Sequence, residues 1–225
     1  MHRFDSRRRW FGMGIALVAT LPLGAVHAVD AAAITTQGNG KGAAPCVACH
    51  GVDGGGQVAA GNPRLAGLDA AYLQKQLDDF ASGTRASPVM QATATALGAD
   101  ERTALAAYYG KLPIPPALAK PATPMPAADS VGAMLATRGH WDNNVPACVQ
   151  CHGPAGVGVG AHFPPLAGQP AAYIVMQLKA WQLGARHNDP LQLMQHLSHA
   201  LSERDIRAVA DWFAAQPLIA NGATP

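Results

Sequence analysis

A pentapeptide of the form Cys-x-x-Cys-His occurs twice in this 225-residue chain and uses all four of its cysteines. The copies are Cys46-Val47-Ala48-Cys49-His50 and Cys148-Val149-Gln150-Cys151-His152. This spacing is typical of c-type haem attachment, because two thiols three positions apart can each form a thioether to a vinyl group of the same haem. The histidine that follows then lies under the iron as its proximal ligand. The two motifs therefore predict two covalently bound haem c groups.

A Cys-x-x-Cys pair also suits a zinc site, a redox-active dithiol or a structural disulfide. A zinc site needs four ligands close in space, and a thioredoxin-like dithiol needs a preceding strand and a helix that begins at the pair. Neither alternative requires a histidine directly after the second cysteine in both copies. Haem attachment is the interpretation that explains the whole motif.

The first residues predict export to the periplasm. Four of the first nine residues are arginine, an apolar run follows from residue 10 to about residue 26, and small residues end the run near Ala28. Pro22 and Gly24 interrupt the apolar run. This pattern favours a signal peptide, residues 1–28, that is cleaved near Ala28 over a retained membrane anchor.

The charge of the chain argues against a nucleic-acid partner. The 16 Lys and Arg residues and 14 Asp and Glu residues give a formal net charge of +2. Four of these basic residues and one acidic residue belong to the predicted signal peptide, so the remainder carries −1 before haem propionates are counted. The remainder has no basic cluster that would suit nucleic acid or an anionic membrane. We expect contact with a membrane only through partner proteins.

Most of the remaining sequence is a tandem duplication. The segment Pro63-Arg64-Leu65-Ala66-Gly67 recurs as Pro164-Pro165-Leu166-Ala167-Gly168 at an offset of 101. Tyr72 recurs as Tyr173 at the same offset. After a three-residue insertion the offset becomes 104, which pairs Met90 with Met194.

A segment rich in proline and alanine separates the two copies and is expected to form an extended, semi-rigid spacer. The predicted organisation is therefore a signal peptide, a first cytochrome c domain, a linker and a second cytochrome c domain, at residues 1–28, 29–111, 112–130 and 131–225.

Each half is predicted to be helical. Leu73, Leu77 and Phe80 share one helical face, Gly83 follows as a C-terminal cap, and the second half repeats this stripe. A second helix is predicted after Gly98 and Ser202, each of which has an acidic residue three positions later. Because no convincing strand pattern occurs, the predicted fold class is all-α, with two tandem haem-binding domains joined by a Pro-rich linker.

The sixth ligand decides whether a haem carries electrons or performs chemistry. The first half has no histidine between residues 51 and 139, so Met90 is the expected ligand there. Met194 is its counterpart, although three histidines lie in the same segment of the second half and leave a histidine ligand open: His187, His196 and His199. Methionine at both irons predicts two fairly high potentials and two irons closed to substrate. The predicted metal ligands are His50, Met90, His152 and Met194.

The order of these motifs resembles that of the dihaem cytochrome c4 family. Cys-x-x-Cys-His-Gly, Pro-x-Leu-Ala-Gly, Ala-Ala-Tyr with a helix, a methionine and a terminal aromatic helix all occur twice, over roughly residues 43–216. The resemblance implies two class I cytochrome c domains that pass electrons from a quinol-oxidising complex towards a terminal oxidase. It also implies that Pro63 and Pro164 accept hydrogen bonds from the proximal histidines, and that Tyr72 and Tyr173 help line the haem pockets.

Two departures from the family pattern lead to further expectations. The linker is richer in proline than the family's, which predicts looser docking of the two domains. The stretch Gly38-Asn39-Gly40-Lys41-Gly42 occupies the region where a class I cytochrome has a packed N-terminal helix. The first domain is therefore expected to be looser than the second.

Two other classes of protein remain as alternatives to a free electron carrier. An electron-accepting subunit of a periplasmic dehydrogenase would use the same haems. A dihaem peroxidase would need an open or displaceable iron site and a distal acid/base group, against which the two methionines argue. We therefore expect an electron carrier rather than an enzyme, with redox proteins as its partners.

Overall fold

The computed structural model describes residues 28–120 and 124–218. The predicted signal peptide, apart from Ala28, lies outside the described residues, and so do residues 121–123 of the predicted linker. Among the described residues, no helix is long and apolar enough to cross a membrane.

The described part of each half contains five α-helices. Those of the first half are α1 (Ala31–Gln37), α2 (Val47–His50), α3 (Ala70–Ser82), α4 (Pro88–Ala96) and α5 (Ala99–Lys111). Those of the second half are α6 (Val131–Thr137), α7 (Val149–His152), α8 (Ala171–Gln182), α9 (Leu193–His199) and α10 (Glu203–Ala215). Between residues 28 and 218, outside the three undescribed positions, extended pairing is limited to isolated β-bridges. The predicted all-α class is confirmed.

The helix ends follow the capping signals in the sequence. The Asp69 side chain accepts a hydrogen bond from the backbone N–H of Tyr72 at the start of α3, and Gly83 ends that helix in the left-handed region with φ of 84°. At the start of α10, Ser202 and Asp205 form the predicted reciprocal capping box.

The N-terminal helix of the first half lies before the glycine-rich segment, not in its place. Residues of α1 pack against α5, and Ile34 is buried in a cluster with Leu97 and Leu105. Residues 38–42 themselves are not helical, but a packed N-terminal helix precedes them. The glycines of residues 38–42 form the turn that leads from α1 towards the first haem motif.

In the second half, α6 and α10 cross at very close range. Gly132 of α6 lies against the backbone of Ala208, and an added Cβ would overlap its carbonyl oxygen. Ile206, Ala210 and Phe213 of α10 are almost completely buried in the core beside this crossing. A residue without a side chain is therefore needed at position 132 for the two helices to approach.

The Pro-rich linker contacts both halves. It contains a 3-10 turn at Pro116–Ala119, so it is not uniformly extended. Ile114 lies against Gly67 of the first half, and Leu118 lies against Gly168 of the second. The backbone N–H of Leu218 also donates to the carbonyl oxygen of Leu118 at 2.7 Å.

The two halves are joined by buried polar contacts. The Gln169 side chain accepts a hydrogen bond from the backbone N–H of Arg64 at 3.0 Å and donates to its carbonyl oxygen at 3.1 Å. Elsewhere in the interface, the backbone N–H of Ala86 donates to the carbonyl oxygen of Ala185 at 3.0 Å. These contacts dock the two halves directly against each other, which contradicts the expectation of loose docking.

Replacing Gly132 by alanine is expected to destabilise the second half by about 1–3 kcal/mol, because the added methyl group would force α6 and α10 apart. Thermal unfolding of the holoprotein measures this change. Gly98→Ser is the control, since a Cβ there meets only Glu101 at 3.8 Å and serine is a good N-cap. Equal losses in the two variants would contradict the proposed crowding.

Gln169→Ala is expected to lower the free energy of unfolding by about 1–3 kcal/mol, because it leaves the buried backbone groups of Arg64 unpaired. Denaturant unfolding measures the loss. In the control Gln57→Ala, the lost bond to the carbonyl oxygen of Ala48 is exposed, and we expect a change within about 0.5 kcal/mol. A neutral Gln169→Ala variant would show that this contact does not stabilise docking.

Candidate haem-binding sites

Both Cys-x-x-Cys-His motifs form a single helical turn. The backbone N–H of His50 donates to the carbonyl oxygen of Cys46 at 2.9 Å, and that of His152 donates to Cys148 at 3.0 Å. Residues three apart lie on the same side of such a turn, so the two sulfurs of each motif face one haem edge. All four cysteines lie in the described part of the chain, and none of them forms a disulfide bond there.

Each motif histidine is buried and bonded to a proline carbonyl. The Nδ1 atom of His50 lies 2.9 Å from the carbonyl oxygen of Pro63, and that of His152 lies 2.8 Å from Pro164. The two imidazoles are only 7% and 8% exposed. The two histidine–proline pairs thus have the same geometry in both halves.

This bond determines which imidazole nitrogen is free. A carbonyl oxygen can only accept, so Nδ1 carries the proton and Nε2 keeps its lone pair. Burial lowers the pKa of both His50 and His152, and the proline carbonyls offset only part of that effect. Each ring is therefore neutral and oriented to offer Nε2 to a metal.

Glycines bring the proline loop to the histidine. Gly56 has φ of 83°, and a Cβ there would come within 2.7 Å of backbone atoms of Pro63 and Arg64. Gly158 has φ of 89° and the same relation to Pro165. Any larger residue would move the loop and its carbonyl away from the imidazole, so these glycines explain part of the Gly-rich sequence after each motif.

The two candidate methionines occupy similar places in the halves. Met90 is the third residue of α4 and is half-buried. Met194 is the second residue of α9, is half-buried and packs against the second-half core. Each would face its histidine across a porphyrin ring, so no direct contact between methionine and histidine is expected.

The other histidines of the second half do not reach its interior. Five of them are exposed: His140, His162, His187, His196 and His199. An exposed histidine is solvated and would have to move inward to bind an iron. The half-buried Met194 is therefore the better placed of the candidate ligands.

Arg85 and Arg186 occupy equivalent positions of the tandem repeat, at the offset of 101, and the structure brings them together. Both guanidinium groups are buried in the interface between the halves, over the rings of Phe80 and Trp181 respectively. Arg85 donates to the Tyr173 hydroxyl at 2.8 Å, across the interface, and Tyr72 lies close to Arg186. The two tyrosines expected at the haem pockets therefore meet the interface arginines.

The two interface arginines have no carboxylate hydrogen-bond partner, although the charges of the interface tyrosines and of Asp79 raise the pKa of Arg85 despite its burial. Arg85 and Arg186 share the amide oxygens of Gln76 and Gln177, which are neutral acceptors. Burial and the charge of Arg85 both lower the pKa of Arg186. Two cations held this close need an anion nearby, and haem carries propionates.

Arg64 was missed by the sequence analysis as a candidate binding residue. Its side chain is completely buried, and Nη1 bonds to the carbonyl oxygen of Ala66. Nε and Nη2 are buried with no hydrogen-bond partner, and burial lowers the pKa of Arg64 to about 10. The equivalent residue in the second copy is Pro165, so comparison of the two copies could not identify Arg64 as a binding residue.

These features fit haem c. Thiol pairs on one side of a turn, neutral imidazoles with a free Nε2 and buried arginines without carboxylate partners are the groups that thioethers, an iron and propionates require. The buried arginines lie at the interface between the halves. Their positive charge could bind the negatively charged propionates of both haems there.

Comparison with known proteins agrees with this chemistry. Residues 38–113 match the family described as Cytochrome c. The chain is 52% identical over 189 residues to the thiosulfate dehydrogenase electron acceptor of Stutzerimonas stutzeri, covering 84% of this chain and 87% of the relative. It is 37% identical over 202 residues to cytochrome c4 of Pseudomonas aeruginosa, covering 88% of this chain and 95% of the relative.

A solved structure has the same arrangement of helices. Thiosulfate dehydrogenase (TsdBA) from Marichromatium purpuratum, in its as-isolated form, superposes with a TM-score of 0.75 at 44% identity. The match covers 84% of this chain and 40% of that longer chain. The family names describe electron carriers and acceptors, and redox proteins are their partners. This chain belongs to the dihaem cytochrome c4-like family and is an electron carrier with two covalently bound haem c groups.

Proposed function

We propose that this chain is a periplasmic electron acceptor for a thiosulfate dehydrogenase. The observation that carries the proposal is the order of identities: 52% to a relative named as such an acceptor, against 37% to a cytochrome c4. This favours the dehydrogenase route over transfer from a quinol-oxidising complex towards a terminal oxidase. The second route remains the alternative, because cytochrome c4 relatives also match nearly the whole chain.

The proposed haem sites use the same set of residues in each half. Cys46 and Cys49 attach the first haem, and Cys148 and Cys151 attach the second. The metal ligands are His50 with Met90 and His152 with Met194. Haem c supplies one-electron exchange at each iron. This assignment is supported by the free Nε2 atoms of the buried imidazoles and by the half-buried positions of both methionines.

The surrounding residues hold the ligands and the haem edges. Pro63 and Pro164 orient the proximal imidazoles through their carbonyl oxygens, which keeps Nε2 directed at the iron. Tyr72 and Tyr173 would line the haem pockets from the interface side. The buried arginines would bind propionates, which is supported by their lack of carboxylate partners: Arg64, Arg85 and Arg186.

The docked arrangement of the halves would bring the haem edges together for electron exchange. Gln169 fixes the backbone of Arg64 from the opposite half, so a residue of one haem site is held by the other domain. A fixed separation gives a constant rate of exchange between two redox centres. The protein would then receive electrons at one haem and release them from the other without domain motion.

The proposed organisation of the gene product follows the sequence boundaries. Residues 1–28 would be removed on export, and residues 29–111 and 131–225 would form the two haem domains on either side of the linker, 112–130. Periplasmic location is supported by the basic and apolar N-terminal pattern.

The methionine ligands can be counted by the weak methionine-to-iron charge-transfer absorption of the ferric holoprotein. We expect Met90→Ala and Met194→Ala each to remove about half of the band, because each removes one of two sulfur ligands. Met125→Ala is the control, since Met125 is 42% exposed in the linker and should leave the band unchanged. A full band in Met194→Ala would assign a different ligand to the second iron.

The electron donor is tested with the oxidised, full-length mature holoprotein. Purified thiosulfate dehydrogenase and thiosulfate should reduce both haems, seen as growth of the ferrous visible band, at a rate that rises with the concentration of either protein. Dehydrogenase without thiosulfate is the control. Reduction by a quinol-oxidising complex but not by the dehydrogenase would overturn the proposal and favour the alternative route.

A further inference from the structure

The Tyr109 hydroxyl is a buried polar group that the proposed haem ligation leaves unused. Tyr109 lies on α5 and is 5% exposed. Its hydroxyl oxygen is shielded from solvent and has no hydrogen-bond partner that meets the usual geometry. A buried hydroxyl without a partner is unfavourable, so an acceptor is expected close by.

The first cysteine of the first haem motif is a neighbour that could accept this hydrogen bond. Tyr109 belongs to a buried cluster against which Cys46 packs. Burial raises the pKa of Cys46, and the Tyr109 hydroxyl is the largest of the effects that oppose this rise. Burial, followed by the Cys46 side chain, raises the pKa of Tyr109 as well, so the phenol keeps its proton.

The backbone at Tyr109 is held in place by the proline loop. Its carbonyl oxygen accepts a hydrogen bond from the backbone N–H of Gly67 at 3.0 Å. The ring lies edge-on to Tyr108 with centroids 5.3 Å apart. The hydroxyl can therefore rotate about its C–O bond while the ring remains beside Cys46.

The second half supplies a matched site without the hydroxyl. Phe213 occupies the equivalent position on α10, and its carbonyl oxygen accepts from Gly168 at 3.0 Å. Phe213 lies in the buried cluster against which Cys148 packs, and its ring is edge-on to Trp212 with centroids 4.9 Å apart. The second half therefore lacks a hydroxyl at the position that Tyr109 occupies in the first.

We propose that the Tyr109 hydroxyl donates a hydrogen bond to the Cys46 sulfur after haem attachment and so tunes the first haem alone. This inference rests on the proposed attachment of a haem at Cys46. A thioether sulfur has no proton and can only accept, so the phenol must be the donor. A donor at the attachment sulfur withdraws electron density from the haem edge and favours the ferrous state. Tyr109 therefore raises the potential of the first haem, and the second haem has no such contribution.

The test is the reduction potential of each haem in the holoprotein, measured by spectroelectrochemistry with NMR assignment of the haem methyl groups. Tyr109→Phe should shift the first haem to lower potential and leave the second unchanged. Phe213→Tyr should shift only the second haem, to higher potential. Tyr108→Phe removes the neighbouring hydroxyl and should move neither potential.

A first-haem potential that Tyr109→Phe leaves unchanged or raises would overturn the proposal, as would equal shifts of both haems. The unsubstituted ferrous protein offers an independent test that does not depend on folding of a variant. Its NMR spectrum should show a slowly exchanging Tyr109 hydroxyl proton with a nuclear Overhauser effect to the Cys46 β-protons. A missing effect in the folded holoprotein also overturns the proposal. Failure of the underlying haem assignment would give a different result. Mass spectrometry of peptides from the digested holoprotein would then find no haem attached at Cys46.

Discussion

The hydrogen bond from each buried imidazole to a proline carbonyl is the interaction on which the rest of this structure depends. It keeps the proton on Nδ1, leaves Nε2 free and holds the ring at one angle, so that Nε2 could bind a haem iron. The carbonyl can reach the ring only because Gly56 and Gly158 let the loop pass close to the turn. The apolar helices then pack around this turn and loop. The segments that hold the proposed histidine ligand therefore lie at the centre of each half.

Duplication of this unit creates an interface with near twofold character. Arg85 and Arg186 face each other there, and each stacks on an aromatic ring of its own half. Their hydrogen bonds go mainly to neutral amides and to the Tyr173 hydroxyl, so no carboxylate binds either guanidinium group directly. An interface of this kind favours the anionic edges of two haems, which would couple domain docking to cofactor binding.

The halves have also diverged in ways that bear on electron transfer. Arg64 is buried near the first site, whereas its counterpart is Pro165. Tyr109 is matched by Phe213, and the second half carries an insertion before Met194 with left-handed backbone at Leu191 and Gln192. Two haems with identical ligands can therefore differ in potential, because burial, charge and hydrogen bonding around each are different.

The sequence by itself determined the local features of this protein. The Cys-x-x-Cys-His motifs, the helical stripes, the caps at Gly83 and Ser202 and the tandem repeat all involve residues close in the chain or copied at a constant offset. The tertiary structure alone decided how the halves dock, that α1 precedes the glycine-rich segment, and that Gln169 holds Arg64. Such contacts join residues about 100 positions apart, and no periodicity or spacing encodes them. The repeat of Arg85 as Arg186 was a trace of the interface in the sequence, and only the burial of both side chains showed what it meant.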